Sequence, residues 1–213
     1  NYQLLSKKRM KKNGVFVLTV ISRDTINSGL WDPYEYSSGI KESPLGNYIK
    51  IERPKNHNRI TTFYPLEYRD IPKDSFYLSY ALKRLATPRP SAFPMVEQKN
   101  LLFGTLRAYL GNVVITPDES WINAKDSVAQ ICYPIKSEFI NIIPYDGFHY
   151  FWWYYFKSDT FLRNIPLGGG GTRPRLQVES FLKTPIFVPE LKEREKIHKL
   201  LMEEAKKEWM SYN

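Results

Sequence analysis

Apolar positions fall into short β-branched or aromatic runs over the first two thirds of the chain and into longer, helix-like stretches after it. The run VFVLTVIS at 15–22 has the composition of a buried strand. From Arg23 to Pro94, short runs such as NYIKIER and TTFYPL alternate with Pro, Gly, Asn and Asp, which is the punctuation of a loop-rich β region. DSFYLSYALKRLA at 74–86 predicts a short helix that TPRPSAFP breaks. KNLLFGTLRAYLGNVVITP at 99–117 reads as strand, turn and strand, and SVAQICYPI at 127–135 as one more strand.

Beyond these, YDGFHYFWWYYFKSDTFLRNI at 145–165 is dense in aromatics and bounded by Gly147 and Pro166, so it predicts one helix packed on both sides. The stretch 166–189 runs from four glycines through a basic turn to a short helix and a Val/Ile/Phe strand. ELKEREKIHKLLMEEAKKEWM predicts an uninterrupted helix whose apolar positions are Leu191, Ile197, Leu200, Leu201, Ala205 and Trp209. That narrow stripe either docks on its own domain or forms a coiled-coil seam with a second copy or a neighbouring repeat. The expected class is α+β: a β-rich domain with short helices over 1–189, then a long C-terminal α-helix over 190–213.

Composition adds a partner to this picture. Thirty-one Lys and Arg against 22 Asp and Glu leave a formal net charge of +9 among 213 residues, a bias suited to a polyanion. The segment SKKRMKKNG at 6–14 carries five of those cations and no acid, as an exposed arm would. One cysteine, Cys132, excludes an intrachain disulfide and a Cys-rich zinc site; its apolar setting predicts a buried, inert thiol in a reducing cytosol. No apolar run approaches the roughly 20 residues that span a bilayer, so a cytoplasmic protein with no membrane partner is expected. A chain that starts at Asn1 is expected to be a processed or excised piece of something longer.

Three basic constellations stand on Gly- or Pro-stiffened segments. The glycines at 168–171 lack the Lys of a Walker loop and the strand-before-helix setting of a dinucleotide fingerprint. They still allow close backbone approach to a groove or phosphate. Gly170, Gly171, Thr172, Arg173 and Arg175 are therefore candidate contacts, with arginine suited to bidentate pairing with guanine, against the alternative of a flexible loop with solvated arginines. Lys83, Arg84 and Arg89 border TPRPSAFP, as phosphate contacts or as a solvated face. In GTLRAYLGN, Gly104 and Gly111 bracket Arg107 and Tyr109; a strand with Leu106 and Leu110 facing inwards leaves Tyr109 either in the core or on a ligand. Lys125 completes the basic set.

Catalytic machinery is harder to assemble. His57, His149 and His198 lack the spacing of a metal site or triad and read as structural or solvated. Asp118, Glu119 and Asp126 are the only set from which a small nuclease is conceivable. A cofactor-binding Gly motif and an Asn/Asp-Pro-Pro-aromatic motif, which an adenine methyltransferase requires, do not occur. No catalytic residue, metal ligand or cofactor is expected of the chain itself.

The ordered segments LLFGTLRAYLGNVVI, AKDSVAQICYPI, FHYFWWYYFKSDTFLRNI and GGGGTRPRLQVESFLKTPIFVPELKEREKI resemble the specificity subunit of type I restriction-modification systems. The resemblance is good over roughly residues 100 to 200 and looser before, where VFVLTVISRDTINSGL is similar to the family's opening strand and turn. It departs at the segment that opens the long helix, where the usual second Pro is Glu190 and the usual Glu-Glu-Gln reads Lys192, Glu193, Arg194 and Glu195 in approximate register. The family implies a target-recognition domain that reads one half of a bipartite duplex site. Its partners would be an adenine-N6 methyltransferase subunit, which carries S-adenosylmethionine, and a restriction and motor subunit, together serving phage defence. A complete subunit carries two such domains and two helices, so this sequence reads as half of one, with two copies expected to meet through Leu191, Ile197, Leu201 and Trp209. The alternatives are a small nuclease or the recognition end of a fused restriction-methyltransferase, and a single-stranded nucleic-acid module that stacks bases on exposed aromatics.

Overall fold

The computed structural model of the protein describes residues 2–4, 20–22, 43–56, 58–71, 83–118, 132–167 and 174–211. At its centre an antiparallel four-stranded sheet is ordered β4 (Ile49–Glu52), β11 (Phe139–Pro144), β8 (Leu101–Gly104), β9 (Val113–Ile115). Successive side chains on a strand point to opposite faces, and here they enter two different cores. Leu101, Phe103, Val113, Ile115, Ile140 and Ile142 join a large cluster with the helices, whereas Leu102, Val114 and Phe139 join Phe63, Leu66, Val96, Tyr133 and Ile135 in a smaller one. Cover on both faces explains why LLFG and VVI are buried at every position. β11, in the middle of the sheet, has a polar residue, Asn141, inside its apolar run and lay between the strands the pattern assigns.

The second layer is built from short antiparallel pairs. β7 (Met95–Glu97) pairs with β10 (Cys132–Pro134), and β5 (Ile60–Phe63) pairs with β6 (Arg84–Pro90). β6 corrects the helix expected over 74–86: residues 74–82 lie outside the described residues, but Arg84–Ala86 are strand, and the Pro-rich segment continues that strand through Pro88 and Pro90. Among the described residues β6 has one partner strand, β5, and proline, which cannot donate to a ladder, is tolerated on such an edge. β1 (Tyr2–Leu4) pairs with β2 (Val20–Ser22), the described part of the strand expected at 15–22. The strand expected in TPIFVP shrinks to β12 (Pro185–Ile186), paired with β3 (Ser43–Pro44).

Four helices among the described residues cover the other face: α1 (His149–Lys157), α2 (Asp159–Arg163), α3 (Val178–Lys183) and α4 (Leu191–Ser211). The single aromatic helix expected at 145–165 is two helices. Ser158 is extended, and its hydroxyl accepts from the Phe161 amide at 3.3 Å, capping α2. The break turns the Phe161 ring onto Phe156 at 4.9 Å and Phe181 at 5.8 Å. Buried Asp146 holds α1 to α4: it accepts from Trp152 Nε1 at 3.1 Å and from the Phe148 amide at 3.0 Å, and it pairs with Arg194.

Of the two readings of the C-terminal helix, the structure shows docking on its own domain. Leu201, Ala205 and Trp209 are buried in the large core, so α4 shares the hydrophobic core of the described residues before it. Ile197 is half-buried against the same cluster. The exposed apolar residues of α4 are Leu191, Leu200 and Met210. At about 100° per residue, Leu191 and Leu200 point roughly 180° apart and Met210 roughly 80° from Leu200, so these three make no continuous seam. Among the described residues no helix is long and apolar enough to cross a membrane.

Candidate nucleic-acid interface

Sheet strand β8 stops at Gly104, and the chain then turns through a short 3-10 segment, Ala108–Leu110, before re-entering the sheet as β9. The expected inward-facing Leu106 and Leu110 are corrected by this turn: Leu106 is half-buried, and Leu110 is 56% exposed. Tyr109, for which core and ligand readings were both open, is 43% exposed, while Ala108 beneath it is fully buried. Two glycines make the turn possible. A Cβ on Gly104 would meet Tyr68 Cε1 at 2.4 Å, so only glycine lets that ring lie against the strand end. Gly111 has φ +62°, a left-handed conformation that favours glycine. Arg107 also adopts φ 50°, at a cost of about 1 kcal/mol for a residue with a Cβ.

The surrounding bonds hold that strained arginine in place. The Arg107 amide donates to Pro174 O at 2.9 Å, the Leu176 amide donates to Thr105 O at 2.8 Å, and Leu106 and Arg175 form an antiparallel bridge. Tyr68 is the bolt behind them: its hydroxyl accepts from the Leu106 amide at 3.0 Å and donates to Glu138 O at 3.2 Å. Burial pushes the Tyr68 phenol up, while the Leu106 amide and the nearby Arg175 charge pull it down. Thr105 Oγ1 donates to the same Glu138 carbonyl at 2.7 Å. Arg107 and Arg175, far apart in sequence, thereby become exposed neighbours on one rigid junction. Tyr68 carried no signal in the sequence, because its role depends on three partners brought together only by the fold.

The Lys83, Arg84 and Arg89 constellation is built differently. Lys83 is exposed and its carbonyl accepts from the Tyr64 amide at 2.9 Å. The Arg84 guanidinium lies over Phe63 at 4.7 Å and that of Arg89 over Tyr64 at 5.6 Å, cation–π contacts that keep both heads at the surface. Tyr64, bonded to Lys83, and Tyr68 are four positions apart, a span of at most about 14 Å, which ties the Lys83 end of β6 to the residue that braces the junction. Gly170, Gly171, Thr172, Arg173 and Lys125, and likewise His57, Glu119 and Asp126, lie outside the described residues.

Other side chains singled out in the sequence have structural partners. Asp118 is buried and pairs with Lys99 at 2.8 Å. His149 and His198 meet where α1 packs on α4; His198 Nδ1 accepts from the Tyr150 amide at 3.3 Å, and its ring stacks on Phe148 at 5.3 Å. Cys132 is buried as expected, but its setting is not wholly apolar: Arg59 Nη1 donates to its sulfur at 2.5 Å. That thiol lines a cleft of about 770 Å³ together with Arg53, Lys55, Arg59, Asn100 and Asn141. Asn141 Nδ2 donates to Asn100 Oδ1 at 2.7 Å, while its own buried Oδ1 has no partner among the described residues. Among the described residues no group of three His, Cys, Asp or Glu could hold a metal.

No protein-family model and no curated protein matches the chain. Among solved structures, a chain from a study of complex assembly and conformational transition of the type I R-M system is similar at TM-score 0.48 and 14% identity, over 80% of this chain and 39% of that one. The HsdS subunit from Thermoanaerobacter tengcongensis is similar at TM-score 0.45 and 14% identity, over 82% of this chain and 39% of that one. The chain thus matches about two fifths of the length of either.

Proposed function

We propose that this chain is a non-catalytic module for sequence-specific recognition of double-stranded DNA, acting as the specificity subunit, or half of one, in a type I restriction-modification and adenine-methylating complex. The junction of Thr105–Arg107 with Pro174–Leu176 carries the reading, because it presents two arginines from distant segments on one preorganised support. Base reading needs such a support, since a hydrogen bond to a base edge tolerates little displacement. The net charge of +9 supplies the attraction to phosphate that positions the duplex first. The order of sequence motifs around Arg107 and Arg175 supports the family assignment. In that reading an adenine-N6 methyltransferase subunit brings S-adenosylmethionine, and a restriction and motor subunit brings cleavage.

Selection of duplexes from a random library on the purified chain tests this. One sequence motif should be enriched, and the enriched duplex should bind at least about a thousandfold more tightly than scrambled DNA at physiological salt. No enriched motif, or single strands that compete as well as the duplex, would overturn the proposal.

A further inference from the structure

Recognition by arginine does not use the apolar tip that follows Arg107. Tyr109 and Leu110 are 43% and 56% exposed on top of fully buried Ala108, and the left-handed Arg107 and Gly111 flank them. Leu162 packs against Gly111 from below, with its Cδ1 at 3.0 Å from where a Cβ would stand. An exposed apolar pair on a braced turn asks for a partner of matching size. Together the two side chains offer roughly 200 Å² or less, far from the roughly 800 Å² per partner that a stable protein interface buries. One opened base step is a closer match, and exposed Arg107, directly before the tip, supplies charge for a neighbouring phosphate.

We propose that Tyr109 and Leu110 form a wedge that enters a base step of the bound duplex, unstacking it and locally unwinding the DNA. The inference rests on the DNA-binding reading above and names how this site engages its substrate. A flexible tip would fold back on insertion; this one is held by the Arg107 amide on Pro174 O, the Leu106 amide on the Tyr68 hydroxyl, and the Gly111 amide on Ala108 O at 3.0 Å. The Tyr109 ring provides the stacking surface, and its hydroxyl is not needed for it.

The test is ligation of nicked circular DNA under saturating protein, with the topoisomers resolved after the protein is removed. The unaltered chain should lower the linking number in proportion to the protein bound. Tyr109→Phe should keep that shift. Tyr109→Ala combined with Leu110→Ala should abolish it at protein concentrations that still saturate the duplex, with circular dichroism confirming an intact fold. Binding without any topological shift, or an equal shift from the double-alanine chain, overturns the wedge and leaves DNA recognition standing. A chain that binds no duplex at all removes both.

Discussion

The two faces of the central sheet are built for different ends. On the helix side, Phe103, Trp152, Phe156, Phe161 and Phe181 interlock at centroid distances of 4.9 to 6.0 Å, and the Asp146–Arg194 pair, its side chains largely shielded, is tied to Trp152. On the other side the cover is a thin layer of short strands, its charged groups sit at the surface, and a cleft reaches Asn141. The junction of Arg107 and Arg175 grows from the end of β8, where the two regions meet. The larger aromatic core lies on one face, and the opposite layer and the strand ends carry the arginines of the candidate interface.

If that division holds, the largest effect on folding belongs to the helix side. Trp152→Ala should cost about 3–5 kcal/mol of unfolding free energy in urea titrations, by removing a fully buried ring and the indole donor to Asp146. A loss below 1 kcal/mol would break the comparison. Leu201, expected at a contact between two copies, is fully buried in its own domain, so its substitution would report on folding and not on dimerisation.

On the recognition side, Arg175→Ala should leave the urea midpoint nearly unchanged but cost about 1–3 kcal/mol of binding to an enriched duplex and relax preference at one base pair. Lys83→Ala should instead weaken binding to all duplexes alike and reduce the salt slope by about 0.9. Identical behaviour of the two variants would erase the distinction between the braced junction and the hairpin edge.

The smallest effect is the pH response of the α1–α4 contact. Burial, with His149 close by, holds His198 down to about 4 in the folded chain, while Asp146 and Glu195 partly oppose that shift and Lys199 adds to it. The unfolded chain takes up the same proton near 6.5, so between those values it binds more protons than the folded one. Stability should be unaffected above about pH 6.5 and should decline as pH falls from there towards about 4. Thermal melts at pH 7 and pH 5 would register it. A decline that persists in His198→Phe belongs to another group, with His149, also held down by burial, the first to examine.

Strands β8 and β9, the turn between them and the long C-terminal helix were legible because each is a local pattern: apolar runs over four or three residues, bracketing glycines, and a narrow stripe at helical spacing. The aromatic segment misled because periodicity records apolar character and is blind to one serine that stops a helix and caps the next. β6 misled for a related reason. Local propensity puts Pro88 and Pro90 outside regular structure, yet an edge strand with one partner tolerates both.

By itself the sequence determined strands β8 and β9, the long C-terminal helix, the excess of positive charge and the presence of arginines beside glycine and proline, since these depend on residue type and near neighbours. Only the tertiary structure decided that Arg107 and Arg175 are neighbours, that Tyr68 braces them through the space Gly104 leaves open, and that Leu201 and Trp209 are spent on the chain's own core. Those outcomes depend on contacts between segments distant in the chain, and such contacts are set by how whole surfaces fit together.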